Sequence, residues 1–288
     1  MSAKSIIIAS GGFEANIDWL RKVWGESADR FIIRGSKYNK GYPLKSLLEN
    51  GAKLVGSPRG AHMIAVDERS PKYDGGIVTR VDAIPIGIVV NKNGRRFYDE
   101  GQDIWPKRYA IWGHLIAEQQ DQIAFCIVDS KMLKYFIPPM FDPFKFGSIE
   151  EIANKFNINR ENLINTIKEF NNNISRDCQF DLSALDHCST KNIDPPKSNW
   201  ATELKGPPFY VYPLRPGITF TYMGIKINKD TRIVTNDGNY FENAFGVGEL
   251  VSGNILRSGY LGGFGIAIGS TLGRIAGNEA SKYVGKFD

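Results

Sequence analysis

The sequence predicts an α/β fold, on three observations. Strand and helix patterns alternate through the first 58 residues, a helical pair and a polar loop follow mid-chain, and the last third returns to β pattern before a glycine-rich helix. At the start, residues 5–9 (SIIIA) read as a short buried strand stopped by Ser10-Gly11-Gly12. Such a strand needs neighbours on both sides, and only four residues precede it. "NIDWLRKVW" then places Ile17, Leu20 and Trp24 at helical spacing, and "YPLKSLLENGAKLV" is a second helix stopped by Asn50-Gly51 and followed by a strand. "GIVVNKNGRRFYDE" predicts two strands around an Asn-Gly turn, and "QIAFCIVDS" a further buried strand.

From Ser148 the character changes. "SIEEIANKF" carries a capping box, Ser148 with Glu151 three residues on, and "NRENLINTIKEFNNNI" sets Leu163, Ile167, Phe170 and Ile174 on one face. Residues 176–208 are polar and broken by proline, as expected of a long ordered loop. "YMGIKINKDTRIVTNDGNYF" predicts a hairpin with Asp237-Gly238 at its second turn, and "NAFGVGEL" a buried strand ending at Gly248-Glu249. The closing helix has glycines at 265, 269, 273 and 277. One interior glycine costs about 1 kcal/mol against alanine, so this bare stripe is expected to press against backbone or a flat ligand.

Composition narrows the function. The 288 residues are 42% hydrophobic and 23% charged, as in a soluble globular chain. The net charge of +5 comes from scattered lysines, which argues against nucleic acid and is compatible with a small anion. Cys126, Cys178 and Cys188 form no C-x-x-C, so neither a disulfide framework nor a zinc site is expected, and His187-Cys188 alone supplies too few ligands for a metal. The apolar stretch between Arg257 and Arg274 falls short of the roughly 18 residues a membrane span requires. No signal-peptide pattern opens the chain, so a cytoplasmic protein is expected.

The two common phosphate fingerprints are missing. Gly246-Val247-Gly248-Glu249 lacks the third glycine of a dinucleotide motif. It reads equally as a tight turn or as a site where Glu249 holds ribose hydroxyls. Gly259, Gly262 and Gly263 crowd the start of the last helix, whose free N–H groups carry roughly half a positive charge and suit an anion or the electron-rich edge of a reduced flavin. His62, Thr79 with Arg80, and Lys107, Arg108 and His114 supply further cationic and hydrogen-bonding groups, and arginine's rigid fork suits carboxylates.

Together these stretches resemble flavoproteins of the fumarate reductase/succinate dehydrogenase family. "IIIASGGFEAN", "VVNKNGRRFYDE", "FGVGELVSGN" and "GYLGGFGIAIGSTLGRIAG" are similar, in that order, to the family's motifs. "DGGIVTR", "RFYDEG", "WPKRYAIWG", "PLRPGITFTY" and "GYLGGFG" most resemble its FAD-dependent tricarballylate dehydrogenase branch. The resemblance implies a Rossmann-like FAD-binding domain, incomplete at its start, in two parts (1–58 and 222–288) interrupted by a substrate-capping domain (59–221). The G-x-G-x-x-G segment that opens the family's FAD domain is not in this sequence. The resemblance therefore leads us to expect weak FAD binding by the chain alone, a separate N-terminal FAD-domain chain as partner, and an aggregation-prone first strand unless another chain covers it.

The family's roles carry over unevenly. The cofactor would meet Ala9, Ser10, Gly11, Gly12, Gly248, Glu249, Gly262, Gly263 and Ile266. The substrate-clamping histidine falls on His62. The family's Thr-Glu pair falls on Thr79-Arg80, so a base replaces an acid. A histidine before Met-Gly becomes Thr221 or Tyr222. The late arginine becomes Tyr260, with Arg257 three residues upstream. The proton-shuttling arginine has Arg108 as its nearest counterpart, at longer spacing. The expected reaction is oxidation of a small polycarboxylate, tricarballylate to cis-aconitate, by hydride transfer to flavin N5. Arg108 or Tyr260 would take the proton, and an electron acceptor would complete the cycle. A ketosteroid-dehydrogenase-like or fumarate-reductase-like enzyme, or a non-catalytic remnant, are the alternatives.

Overall fold

The computed structural model describes residues 3–75 and 78–287, which leaves Gly76 and Ile77 of the "DGGIVTR" stretch outside the described residues. In chain order the elements are β1 (Ile6–Ile8), α1 (Ile17–Trp24), β2 (Ile32–Ile33), α2 (Tyr42–Glu49), β3 (Leu54–Val55), β4 (Ala61–Asp67), β5 (Ile88–Val90), α3 (Trp105–Arg108) and α4 (Trp112–Ala117). There follow β6 (Ala124–Asp129), β7 (Phe144–Phe146), α5 (Ile149–Phe156), α6 (Arg160–Asn172), β8 (Phe209–Thr221), β9 (Gly224–Ile225), β10 (Arg232–Val234), β11 (Tyr240–Gly246) and α7 (Phe264–Val284). The class is α/β. The chain divides into two compact units: unit 1 holds residues 1–29, 33–63 and 218–288, and unit 2 holds 30–32 and 64–217.

Unit 1 is built on the three-stranded sheet β1-β11-β10. β1 runs parallel to β11, with Ile7 opposite Phe245, and β10 is antiparallel to β11. The turn between β10 and β11 is the expected one: Gly238 takes φ +89°, and the Asp237 carboxylate accepts from the Asn239 amide. α7 packs Ala276 against Phe245 and Val247 beside β11, and Ile268 against Tyr222 and Leu256. β1 is not the interior strand its apolar run suggests. Among the described residues it pairs on one side only, and Ile6 and Ile7 are 53% and 43% exposed. The glycine stripe of α7 is likewise open: a Cβ at 269, 273 or 277 would meet nothing within 4 Å, and only Gly265 has a close neighbour, the Tyr260 hydroxyl.

Unit 2 is organised by a six-stranded sheet of order β2-β8-β6-β5, with β4 and β7 also paired to β8. β6 explains the arrangement. Its unbroken apolar run lies between antiparallel β5 and β8 and is buried on both faces. Phe125 and Ile127 join one core with α6 residues Leu163, Ile167 and Phe170, while Ala124, Cys126 and Val128 join the other with Trp112 and Ile116. α5 begins as the sequence implies, Ser148 accepting from the Glu151 amide, although the Glu151 carboxylate reaches the Gly147 amide rather than completing the box at Ser148.

Two expectations fail here. The strand after Asn93-Gly94 does not form beyond an isolated bridge from Val90 to Arg96. Arg96 instead turns inward onto Glu100, with Nη2 2.5 Å from Oε2, both side chains almost wholly buried. The guanidinium also donates to the carbonyls of Pro195 and Pro196, so its buried charge is fully partnered where it lies and would lose those partners in an exposed hairpin. The reading that the cysteines form no disulfide is also overturned. Cys178 and Cys188 are bonded across ten residues, closing the polar loop, while Cys126 is free and buried, and burial pushes its thiol up.

Candidate active site

In unit 1 the residues flagged by sequence converge at two neighbouring places along the chain. The first is a knot around Gly12. β11 ends at Gly246, and a 3-10 turn (Gly248–Asn254) begins with Gly248 at φ +68°, carrying Glu249 inward. Glu249 Oε1 accepts from the Thr221 amide at 2.8 Å and from Thr221 Oγ1 at 3.1 Å, and Thr221 Oγ1 in turn accepts from the Phe13 amide. A Cβ on Gly12 would overlap both Thr221 Oγ1 and Glu249 Oε1, so only glycine fits. Gly11 holds φ +75° just before it.

Sequence reasoning missed two members of this knot. Asn39 Nδ2 donates to Glu14 Oε1 at 2.5 Å and to Glu249 Oε2 at 3.3 Å, so one amide bridges two buried carboxyls. Burial, and then the charge of Glu249, push Glu14 up to about 9, and burial raises Glu249 as well. Two carboxyls this close in a poorly solvated site do not both ionise at neutral pH, and Glu14 holds the proton. Its Oε2 is buried with no hydrogen-bond partner among the described residues. The only signal for Glu14 was its place directly after Gly-Gly-Phe.

The second place is the start of α7. Gly263 caps the helix at φ +94°, and a Cβ at Gly259, Gly262 or Gly263 would stand in open space. The Tyr260 ring stacks on His62 with centroids 4.1 Å apart and planes at 17°, and its hydroxyl accepts from the Gly265 amide at 2.7 Å. Phe220 touches the rings of both Tyr260 and Tyr222, and the buried Tyr222 hydroxyl donates to Gly259 O at 2.5 Å. His62 and Tyr222 thus stiffen the glycine turn. The Ile266 side chain is 80% exposed, Arg257 is exposed with no polar partner among the described residues, and Ala9 and Ser10 follow β1.

In unit 2 the flagged residues are already engaged. Thr79 Oγ1 is buried and donates to Asp74 Oδ2 at 2.5 Å. Arg80 Nη2 donates to Asp82 Oδ2 at 2.8 Å, its Nε lies 2.6 Å from Oδ1 as an ion-pair contact without hydrogen-bond geometry, and the guanidinium lies over the Tyr109 ring. Asp82 Oδ1 also accepts from Trp105 Nε1 at 2.6 Å. Asp82 was overlooked although it sits two residues beyond Arg80, a spacing that shares one side of an extended chain. Arg108 ends α3, and its Nε is buried without a hydrogen-bond partner among the described residues. No cluster of three or more His, Cys, Asp or Glu among the described residues could hold a metal, and no described helix is long and apolar enough to cross a membrane.

The residues of unit 1 suit a flavin nucleotide. The bare glycines at the start of a 21-residue helix admit a flat group to the backbone amides, and the buried carboxyl pair at Gly12 offers both a proton donor and acceptors to hydroxyl groups.

Comparison with known proteins agrees. The chain is 28% identical over 290 residues to NADH:acrylate oxidoreductase of Vibrio harveyi, covering 97% of this chain and 27% of that protein. Its fold is that of the open conformation of a flavocytochrome c3 fumarate reductase (TM-score 0.68, 20% identity, 98% of this chain and 47% of the other). It is also that of 3-ketosteroid delta1-dehydrogenase from Sterolibacterium denitrificans (TM-score 0.70, 17% identity, 97% and 53%). The chain spans between about a quarter and a half of the length of the curated relatives it matches. Residues 1–266 match the family described as FAD binding domain, and the chain belongs to that family.

Proposed function

We propose that this chain is part of an FAD-dependent oxidoreductase acting on a carbon–carbon bond next to a carboxylate or carbonyl. The observation that carries the reading is the pairing, in one unit, of the Gly12–Thr221–Glu249 knot with an open glycine turn at the start of α7. FAD, when bound, supplies a hydride acceptor or donor. The chain's own residues do the rest. Gly11 and Gly12 let backbone approach the ligand, Glu249 and protonated Glu14 hold hydroxyl groups, and the first amides of α7 favour electron density on the ligand edge they face.

The finer proposal is that the substrate is a small polycarboxylate, with tricarballylate oxidised to cis-aconitate. Within unit 1, His62 and Arg257 are the proposed substrate groups, with Thr221 and Tyr222 shaping the site. Thr79 and Arg80 are taken up by Asp74 and Asp82 and are not assigned to the polycarboxylate. Arg108 is the proposed proton acceptor, on the strength of its buried and unpartnered Nε. A guanidinium is a weak proton acceptor because it already carries its full complement of protons, so a proton relay must assist it. One observation favours the second, ketosteroid-like reading: the Tyr260 hydroxyl is fixed at the glycine turn by Gly265 and by the stack on His62, a ready proton-transferring group.

An electron acceptor and a polypeptide segment, of this chain or another, that pairs with β1 are the proposed partners. The free edge of β1 and the adjoining hollow of about 690 Å³, lined by Ile6, Ile7, Pro43, Leu47 and Phe241, support the latter. Titrating FAD into the chain, alone and with a polypeptide supplying the strand–turn–helix with G-x-G-x-x-G, tests the reading. We expect a shifted flavin spectrum that is strongest in the pair and lost in Gly12→Val. An unshifted spectrum in every combination would sink it.

In the active assembly, Arg108→Gln should lower tricarballylate oxidation about 10²-fold in kcat, and Tyr260→Phe less. The reverse order would transfer the role to Tyr260.

A further inference from the structure

Unit 2 contains a cavity of about 460 Å³ that the proposed flavin chemistry does not require. Its walls are largely apolar, including Ile86, Trp105, Tyr135 and Trp200, and its charged lining is Arg80 with Asp82. These two neutralise each other as an ion pair joined by the Nη2–Oδ2 hydrogen bond, and Trp105 Nε1 also donates to Asp82. Arg80 Nη1 makes no hydrogen bond among the described residues, so one donor edge remains for a ligand. A neutral pair in an apolar cavity cannot offset several negative charges, but it can hold one carbonyl or carboxylate oxygen.

One wall belongs to the disulfide loop. Leu182 and Ser183 line the cavity from between Cys178 and Cys188, and Phe180 of the same loop packs its ring 5.1 Å from that of Tyr135. The loop is also fastened to Trp200. Trp200 Nε1 donates to the carbonyls of Asp181 and Ala184, and Asp186 Oδ1 accepts from the Cys188 and Trp200 amides. Leu182, Ser183 and their neighbours are otherwise exposed, so the disulfide and these hydrogen bonds are what hold the wall in place. Closing a loop of this size removes conformations that the opened loop would regain.

We propose that this cavity binds a compact apolar molecule bearing a single carboxylate or carbonyl, and that the Cys178–Cys188 disulfide holds its wall closed. Reduction by a dithiol breaks the S–S bond. Two electrons and two protons pass from the dithiol to the two sulfurs, giving two thiols here and a disulfide in the reductant. The loop then loosens and affinity falls.

The experiment titrates 2-naphthoate, a flat apolar monoanion, into the full oxidised chain by calorimetry. Binding below millimolar Kd is expected, weakened at least fivefold both by Leu182→Asp, which puts an anion on an exposed part of the wall, and by dithiothreitol. Circular dichroism must show the fold intact in each case, and Cys178→Ser should reproduce the effect of dithiothreitol in the absence of any reductant. Tricarballylate in excess should not displace the probe. Absence of binding, an affinity unchanged by Leu182→Asp, displacement by tricarballylate, or an affinity indifferent to reduction would each overturn the proposal.

Discussion

Glu14 sits at 4% exposure in unit 1 with its neighbour Glu249, and the consequence is a proton retained on folding. Unfolded, Glu14 titrates near the ordinary value of 4.5; folded, near 9. Between those values the native state binds the extra proton, so stability falls as pH rises. The contribution is complete below about pH 4.5 and lost as pH climbs through 9. Glu14→Gln keeps an acceptor for Asn39 but cannot ionise, so it should flatten the decline in urea-unfolding stability measured at pH 6, 7.5 and 9. An equally steep decline in the variant would refute the assignment. Little of this was readable beforehand. The glycines announced a close approach, and Glu249 stood at a turn whose meaning was open. Glu14 and Asp82 gave only a faint positional signal and Asn39 none, because each acquires its role from a partner that folding brings to it.

At the scale of elements, legibility followed periodicity. β6 could be read because five consecutive apolar residues suit only a strand buried on both faces, and α6 because Leu163, Ile167 and Phe170 repeat at helical spacing. The failures all involve long-range partners. The strand expected at Arg96 gave way to Glu100, β1 read as interior but has a neighbour on one side, and two of three cysteines paired across a loop whose closure no local pattern marks. The polar stretch that follows this loop contains a lysine that a reading by polarity would leave in solvent. Lys197 is fully buried and donates to the carbonyls of Pro85 at 2.6 Å and Gly87 at 2.8 Å, tying that stretch to the approach of β5. Burial lowers its amine to about 8, with the carboxylate of Glu100 opposing the shift. Lys197→Met should leave both carbonyls unsatisfied and cost about 2–4 kcal/mol. Chemical denaturation at pH 7 measures it, and a loss under about 0.5 kcal/mol, the scale of a surface substitution, would show that water replaces the amine.

For the molecule as a whole, the exposed edge of β1 offers backbone beside Ile6 and Ile7 that no other described strand pairs. Sedimentation of the isolated chain should therefore show association that grows with concentration, and Ile6→Lys with Ile7→Lys should suppress it. A wild-type chain that stays monomeric at high concentration would show that the edge is protected in some other way. The chain path has another consequence. Apart from residues 30–32, unit 2 is one continuous insertion, leaving unit 1 after Met63 on β4 and returning at Ile218 on β8. These two strands are hydrogen-bonded neighbours, and within unit 1 the Tyr222 amide still reaches Gly60 O at 2.8 Å. Departure and return therefore lie side by side, like the two ends of a cassette. A segment entered and left through one pair of hydrogen-bonded strands can be lengthened, shortened or exchanged while the chain on either side keeps its own path and partners.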